Sequence, residues 1–92
     1  MRGMSDPRGL LVTTTGEILI ALLEGERMSS EIAGLVGVTD QQVSRLLPRL
    51  VYGGLIESRF PDTRRLSRLT PKGREAAEHL AAVKELIGDG SA

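Results

Sequence analysis

The chain has no cysteine and no tryptophan, one phenylalanine, one tyrosine and a single histidine. Without cysteine there is no disulfide framework, no thiolate metal site and no thiol redox switch. The lone His79 has no partner at ligand spacing, and a metal site needs several converging donors. Nor can one histidine in an Ala/Glu-rich segment build a nucleophile–base–orienter set. It reads as a helix-surface residue. Gly53-Gly54 lacks the longer pattern of a phosphate-cradling loop and reads as a helix stop. The expectation is a non-enzyme with no cofactor and no metal. No apolar run approaches the roughly 18 residues of a membrane span. Residues 1–9 (MRGMSDPRG) hold no signal-type hydrophobic stretch. A cytoplasmic protein is expected. At 40% apolar and 26% charged, the composition is that of a soluble globular chain. Ninety-two residues make one domain with a modest core, which a dimer partner would help to stabilise.

Net charge is zero, yet the charges are not mixed. From Arg45 to Arg74 eight bases stand against Glu57 and Asp62, a net +6. The remainder carries four bases and ten acids, a net −6. One basic third beside an acidic remainder is the electrostatic footprint of a nucleic-acid face.

The order of elements gives that face a shape. Residues 1–13 read as an arm ending in Leu10-Leu11-Val12. Thr14-Thr15-Gly16-Glu17 fits a capping box, and Ile18, Leu19, Leu22 and Leu23 form the apolar stripe of a helix that stops near Gly25. Ser29 is expected to cap a short second helix bearing Ile32, Ala33 and Val36. Gly37 stands where a helix ends left-handed. Thr39-Asp40-Gln41-Gln42 is a second capping box. At about 100° per residue, Val43, Leu46, Leu47 and Leu50 fall on one face of the helix it starts. Gln41, Gln42, Ser44, Arg45, Arg49 and Tyr52 fall on the other. Pro48 lies within that polar face, where it leaves the Ser44 carbonyl without its helical partner. Gly53-Gly54 ends the helix. Leu55–Arg59 and Leu66–Leu69 read as the strands of a hairpin whose turn, residues 60–65, carries Arg64 and Arg65. Thr70-Pro71 opens a last helix with proline at its first position. That helix is expected to end at Gly88. Its stripe, Ala76, Leu80, Val83 and Ile87, is widened by alanines, which suggests a helix–helix seam between two copies.

The chain is thus mainly α with a small β-hairpin, in the order α-α-α-β-β-α. A short helix, a tight turn and a polar-faced helix match a helix-turn-helix, whose second helix enters the DNA major groove by its leading residues. Gln41, Gln42, Ser44 and Arg45 occupy those positions. Arginine reads the acceptors of guanine, and glutamine the donor–acceptor pair of adenine.

Two stretches, SSEIAGLVGVTDQQVSRLLPRLVYGGLIESR and DTRRLSRLTPKGREA, resemble the winged helix-turn-helix regulators of the MarR, PadR and ArsR type. The resemblance covers about residues 14–87. It implies a homodimeric, nucleoid-associated transcriptional regulator on a pseudo-palindromic operator in double-stranded DNA. It also places Gln41, Gln42, Ser44 and Arg45 at base-reading positions, and Arg64 at the wing arginine of the minor groove. The metal-sensing cysteines and histidines of ArsR-type members are absent. Phosphate contacts are expected from Arg49, Arg59, Arg65, Arg68 and Lys72. A dimer interface is expected from Leu10, Leu11, Leu80, Val83 and Ile87. The expected division is an arm (1–13), a winged helix-turn-helix domain (14–70), and a dimerising helix with its tail (71–92). The alternative is a winged helix that serves as a protein-interaction module in a transcription or chromosome-maintenance complex.

Overall fold

In the computed structural model the backbone is described for residues 14–91 and the side chains for residues 14–86. The expected arm, with Leu10 and Leu11, and the side chain of Ile87 lie outside the described residues. The elements run α1 (Gly16–Ala21), β1 (Arg27–Met28), α2 (Ser29–Val36), α3 (Asp40–Tyr52), β2 (Ile56–Arg59), β3 (Leu66–Leu69) and α4 (Pro71–Ser91). This is a mainly helical chain with a small antiparallel sheet.

The apolar stripes meet in one core. Ile18, Leu22, Ile32, Val43, Leu47, Ile56 and Ala77 are buried together, with Leu19, Ala33 and Leu50 beside them. Leu23, Val36, Leu46, Ala76 and Leu80 pack half-buried at its edge. Each fully buried aliphatic side chain contributes roughly 1.5–3 kcal/mol. The same residues fix the tertiary arrangement: α1 lies against α4 and α2, and α3 against α2 and β2. Ala77 draws the first half of α4 into this core, whereas Val83 and Leu86 further along are exposed.

The helix starts differ from expectation in two places. Thr14 does not cap α1: Thr14 and Thr15 form a wide helical turn that leads into it, and Thr15 has helical dihedrals with no side-chain cap. Ser29 is the first residue of α2 and Met28 its N-cap, with Glu31 Oε1 accepting the Met28 N–H at 2.8 Å. The box at α3 forms as expected. Thr39 Oγ1 accepts the Gln42 N–H and Gln42 Oε1 accepts the Thr39 N–H, each at 3.1 Å. Gly37, at φ 83°, ends α2 in the left-handed conformation and opens the turn into α3.

Two stops also fall elsewhere. α1 ends at Ala21 rather than near Gly25, and its chain turns into β1. α4 continues through Gly88 to Ser91. Glycine costs a helix only about 1 kcal/mol and does not by itself end one.

α3 runs unbroken through Pro48, which is exposed on its polar side. The ring crowds the preceding turn and the Ser44 carbonyl loses its partner, so the proline works against the helix that holds it. Pro48→Ala is expected to stabilise the fold by on the order of 1–3 kcal/mol, read as a higher thermal midpoint. A lower midpoint would mean that the ring makes a contact the helix depends on.

The sheet has the order β1-β3-β2. Ile56 pairs with Leu69, Glu57 with Arg68, Ser58 with Ser67 and Arg59 with Leu66. The strand β1, absent from the sequence-based expectation, pairs Arg27 with Ser67 and Met28 with Leu66. It places β3 in the centre, with its two neighbours tying the hairpin to the start of α2.

The junction of β3 and α4 is tight. Thr70 N–H donates to the Leu55 carbonyl at 3.1 Å, and Thr70 Oγ1 donates to the Gly54 carbonyl at 2.6 Å. The same hydroxyl caps α4 by accepting the Gly73 N–H at 3.0 Å. Lys72 Nζ donates to the Gly53 carbonyl at 3.1 Å. The start of α4 is thereby fastened to the end of α3.

Candidate nucleic-acid interface

The polar side of α3 is open. Gln41, Gln42, Ser44, Arg45, Pro48 and Arg49 are exposed, whereas Val43, Leu47 and Leu50 face the core. Among the described residues Gln41, Ser44, Arg45 and Arg49 make no side-chain hydrogen bond or ion pair. They are presented as unused donors and acceptors on a helix whose N-terminus is fixed by its cap. Gln42 differs. Its Oε1 accepts the Thr39 N–H and also faces the Thr39 hydroxyl at 3.4 Å, so only its amide N–H groups are free.

The hairpin tip is ordered by its own polar contacts. Asp62 accepts the Arg64 N–H at 2.8 Å, Arg64 Nη2 at 2.9 Å and Arg64 Nε at 3.3 Å. Arg64 Nη1 approaches the Met28 sulfur at 3.9 Å, which lays the guanidinium beside the start of α2. Arg65 lies over the Phe60 ring, 5.5 Å from its centroid, and Nε donates to Ser58 Oγ at 3.0 Å. Ser58 Oγ is in turn hydrogen-bonded to the buried Ser67 Oγ at 2.9 Å. A stacked and hydrogen-bonded arginine keeps its orientation, with its terminal nitrogens still available.

The remaining cations sit elsewhere. Strand alternation puts Ile56, Ser58, Ser67 and Leu69 on one face of the sheet, where Ile56 and Ser67 are buried. Glu57, Arg59, Leu66 and Arg68 take the other face. There Arg59 makes a two-pronged pair with Glu26, at 2.8 and 2.9 Å, and Arg68 pairs with its cross-strand neighbour Glu57 at 3.0 Å. The structure therefore divides the expected contact residues into three sets, with Lys72 apart from them. Arg45 and Arg49 join Gln41, Gln42 and Ser44 on α3. Arg64 and Arg65 share the hairpin tip. Arg59 and Arg68 lie on the outer sheet face, matched by carboxylates, while Lys72 bridges to the end of α3.

Sequence reasoning missed those carboxylate partners. Glu57 lies directly opposite Arg68, and the hairpin register could have found that pair. Glu26 lies 33 residues from Arg59 and had no local signal.

Two carboxylates are electrostatically tuned by this arrangement. The hydrogen bond from the Arg64 guanidinium, with the Arg64 N–H behind it, holds the Asp62 carboxyl below its usual range. The hydrogen bond from Arg59 does the same for Glu26. A folded-state pKa below the unfolded one stabilises the fold above the unfolded value, and that stabilisation is lost as pH falls through the folded value. Both pairs are thus intact at neutral pH and open only in acid. The Asp62 carboxyl carbon is expected to titrate below the ordinary aspartate range, and to move up in Arg64→Ala. An NMR midpoint unchanged by that substitution would rule out the clamp.

Among the described residues no group of three or more His, Cys, Asp or Glu side chains could hold a metal ion, and no helix is long and apolar enough to cross a membrane. His79 is exposed on α4. A groove between α1 and α4 is lined by Ile20, Leu23, Ala81 and Ala82 together with the charged Glu78, Lys84 and Glu85. Of the expected dimer residues, Leu80 packs half-buried against the core and Val83 is 42% exposed.

Three helices, with the turn between α2 and α3 and a β-hairpin tied through β1 to the start of α2, define a winged helix-turn-helix protein. Its fold is similar to that of MarR family transcriptional regulators. The chain superposes on a MarR family transcriptional regulator, SPO1453 from Silicibacter pomeroyi DSS-3, with a TM-score of 0.73 at 27% identity over 87% of this chain and 58% of that one. The DNA complex of Lactococcus lactis ZitR matches with a TM-score of 0.76 at 24% identity over 86% of this chain and 56% of that one. The adhesin competence repressor AdcR of Streptococcus pyogenes shares the fold at 16% identity and a TM-score of 0.76, over 85% of this chain and 60% of that one. The chain spans somewhat more than half the length of these regulators. No protein-family model and no curated protein sequence matches it.

Proposed function

We propose that this protein binds duplex DNA in a sequence-specific manner and regulates transcription as a homodimer. The observation that carries this reading is the leading half of α3. Gln41, Ser44 and Arg45 are exposed, free of partners among the described residues, and mounted on a helix with a completed N-terminal cap. A basic hairpin tip lies beyond the same helix-turn-helix, and a structural relative of the same fold is a DNA complex. In this reading α3 enters the major groove and Arg45 reads guanine acceptors. Arg64 and Arg65 serve the minor groove or phosphates, and Arg49 and Lys72 bind phosphates. Arg59 and Arg68 contribute charge already offset by Glu26 and Glu57, so their share is smaller.

The dimer is assigned to α4. Val83 and Leu86 are exposed on α4 beside the α1–α4 groove, and a second copy would cover them. The cytoplasm, at the nucleoid, is the compartment this function requires.

A second reading, a protein-interaction module, draws on Tyr52 at the end of α3, 95% exposed, and Phe60 at the hairpin, 61% exposed. One titration separates the two. Fluorescence anisotropy on mixed-sequence labelled duplex should show binding that weakens steeply with salt, at a slope of about 0.9 per phosphate neutralised. Binding absent at low salt, or indifferent to salt, would favour the protein partner.

A further inference from the structure

We infer that Gln42 acts on the DNA as a donor-only side chain: it faces a hydrogen-bond acceptor, guanine or a phosphate oxygen, and does not read adenine. The inference rests on the DNA reading above and adds to it a specificity rule.

A free glutamine carboxamide is two-faced. It recognises adenine by donating to N7 and accepting from the N6 amino group at once. Gln42 lacks that freedom. The atom opposite the Thr39 N–H has to be an oxygen, because only an acceptor satisfies that donor, and it lies at 3.1 Å. The Thr39 hydroxyl faces the same oxygen at 3.4 Å. Both acceptor positions of Oε1 are thus turned toward Thr39, while Thr39 Oγ1 receives the Gln42 N–H at 3.1 Å. The exposed remainder of the carboxamide is Nε2 with its two hydrogens, which fit the paired N7 and O6 acceptors of guanine or a phosphate. Cytosine presents only a donor in the major groove, and adenine and thymine each present one acceptor beside an amino or methyl group, so guanine alone offers an acceptor to both hydrogens. Gln41, one residue earlier and free of any described hydrogen bond, keeps both functions and remains the candidate for adenine.

The cap also provides a clean test. Glutamate is as good as glutamine at the third position of a capping box, because the box uses only the acceptor. Gln42→Glu therefore keeps the cap and deletes the donors. Gln42→Ala deletes both. Gln41→Glu adds the same charge next door without touching the cap. Each variant would be melted, and each would be taken through selection from a randomised duplex pool followed by anisotropy. Gln42→Glu is expected to melt at or above the wild-type temperature, and Gln42→Ala below it. Gln42→Glu should bind the selected duplex roughly five- to a hundred-fold more weakly. A preference for guanine lost at one position identifies a base contact. A uniform loss over all sequences identifies a phosphate.

An A·T pair selected by wild type at the position that Gln42→Glu releases overturns the inference while leaving DNA binding intact. So does unchanged affinity in Gln42→Glu. A wild-type chain that binds no duplex overturns the DNA reading, and this inference falls with it.

Discussion

Gly73→Ala is expected to prevent the protein from reaching its native fold, or to destabilise it by more than about 4 kcal/mol, at the extreme of single substitutions. A Cβ at residue 73 would stand 1.7 Å from the Leu55 carbonyl oxygen and 2.7 Å from its carbon. The obstruction is backbone, so no rotamer can relieve it. Nor can Leu55 retreat without loss. Its carbonyl accepts the Thr70 N–H, its N–H donates to the Leu50 carbonyl, and Ile56 beside it is buried. Moving α4 outward instead would withdraw Ala77 from the core and break the Thr70 cap. Either route gives up several buried interactions for one methyl group. The far-ultraviolet circular dichroism melt should be shifted steeply down or lost, with the variant largely insoluble. A near-native melt would mean that α4 can sit further from β2 than its contacts indicate.

Gly34→Ala supplies the contrast. Gly34 lies within α2, with nothing within 4 Å of an added Cβ. There alanine should stabilise by about 0.5–1 kcal/mol, through helix propensity and a less mobile unfolded chain. Two identical substitutions, both on helices, thus carry opposite signs. The difference lies wholly in what the new carbon meets.

How much of this was legible beforehand follows the range of each interaction. The α3 cap, its core stripe and the hairpin are local patterns. A Thr-x-x-Gln box, apolar residues at helical spacing and a turn between two four-residue strands announce themselves within a dozen residues. Gly73 did not announce itself. It stood inside a run that resembled a known family, yet its reason is the Leu55 carbonyl, 18 residues upstream. β1 was invisible because two residues have no periodicity; β3 alone gives Arg27 and Met28 their extended form. The charge count found a basic third of the chain but could not find the acids returned to it in space. Glu26 and Glu57 neutralise Arg59 and Arg68, and Asp62 holds Arg64. Gln42 shows a subtler limit. The sequence supported two roles for it, cap and base reader, and only the geometry shows that the first restricts the second.

Arg45→Ala carries the largest expected effect on function, because Arg45 combines exposure with a charge that no described residue offsets. Among the described residues it makes no ion pair and no hydrogen bond, and it stands six positions into a capped helix. Its removal should therefore cost the fold almost nothing, and the melt should stay within about 0.5 kcal/mol of wild type. On the duplex the situation reverses. A guanidinium that pairs with guanine O6 and N7 discriminates against other bases by about 1–3 kcal/mol, or roughly five- to a hundred-and-fifty-fold. Arg45→Ala should lose that factor on the selected site and lose little on a duplex altered at the contacted base pair, because the discrimination has gone with the side chain. Arg68→Ala should behave differently. It should weaken all sequences alike and slightly lower the salt slope, by less than the 0.9 or so of an unpaired cation, since Glu57 already holds part of its charge. The deciding quantity is the ratio of affinities for selected and altered duplexes, measured by anisotropy at fixed salt. If that ratio is the same in wild type and Arg45→Ala, then Arg45 is at most a phosphate contact, and sequence reading must come from Gln41, Gln42 and Ser44 or from the shape of the DNA.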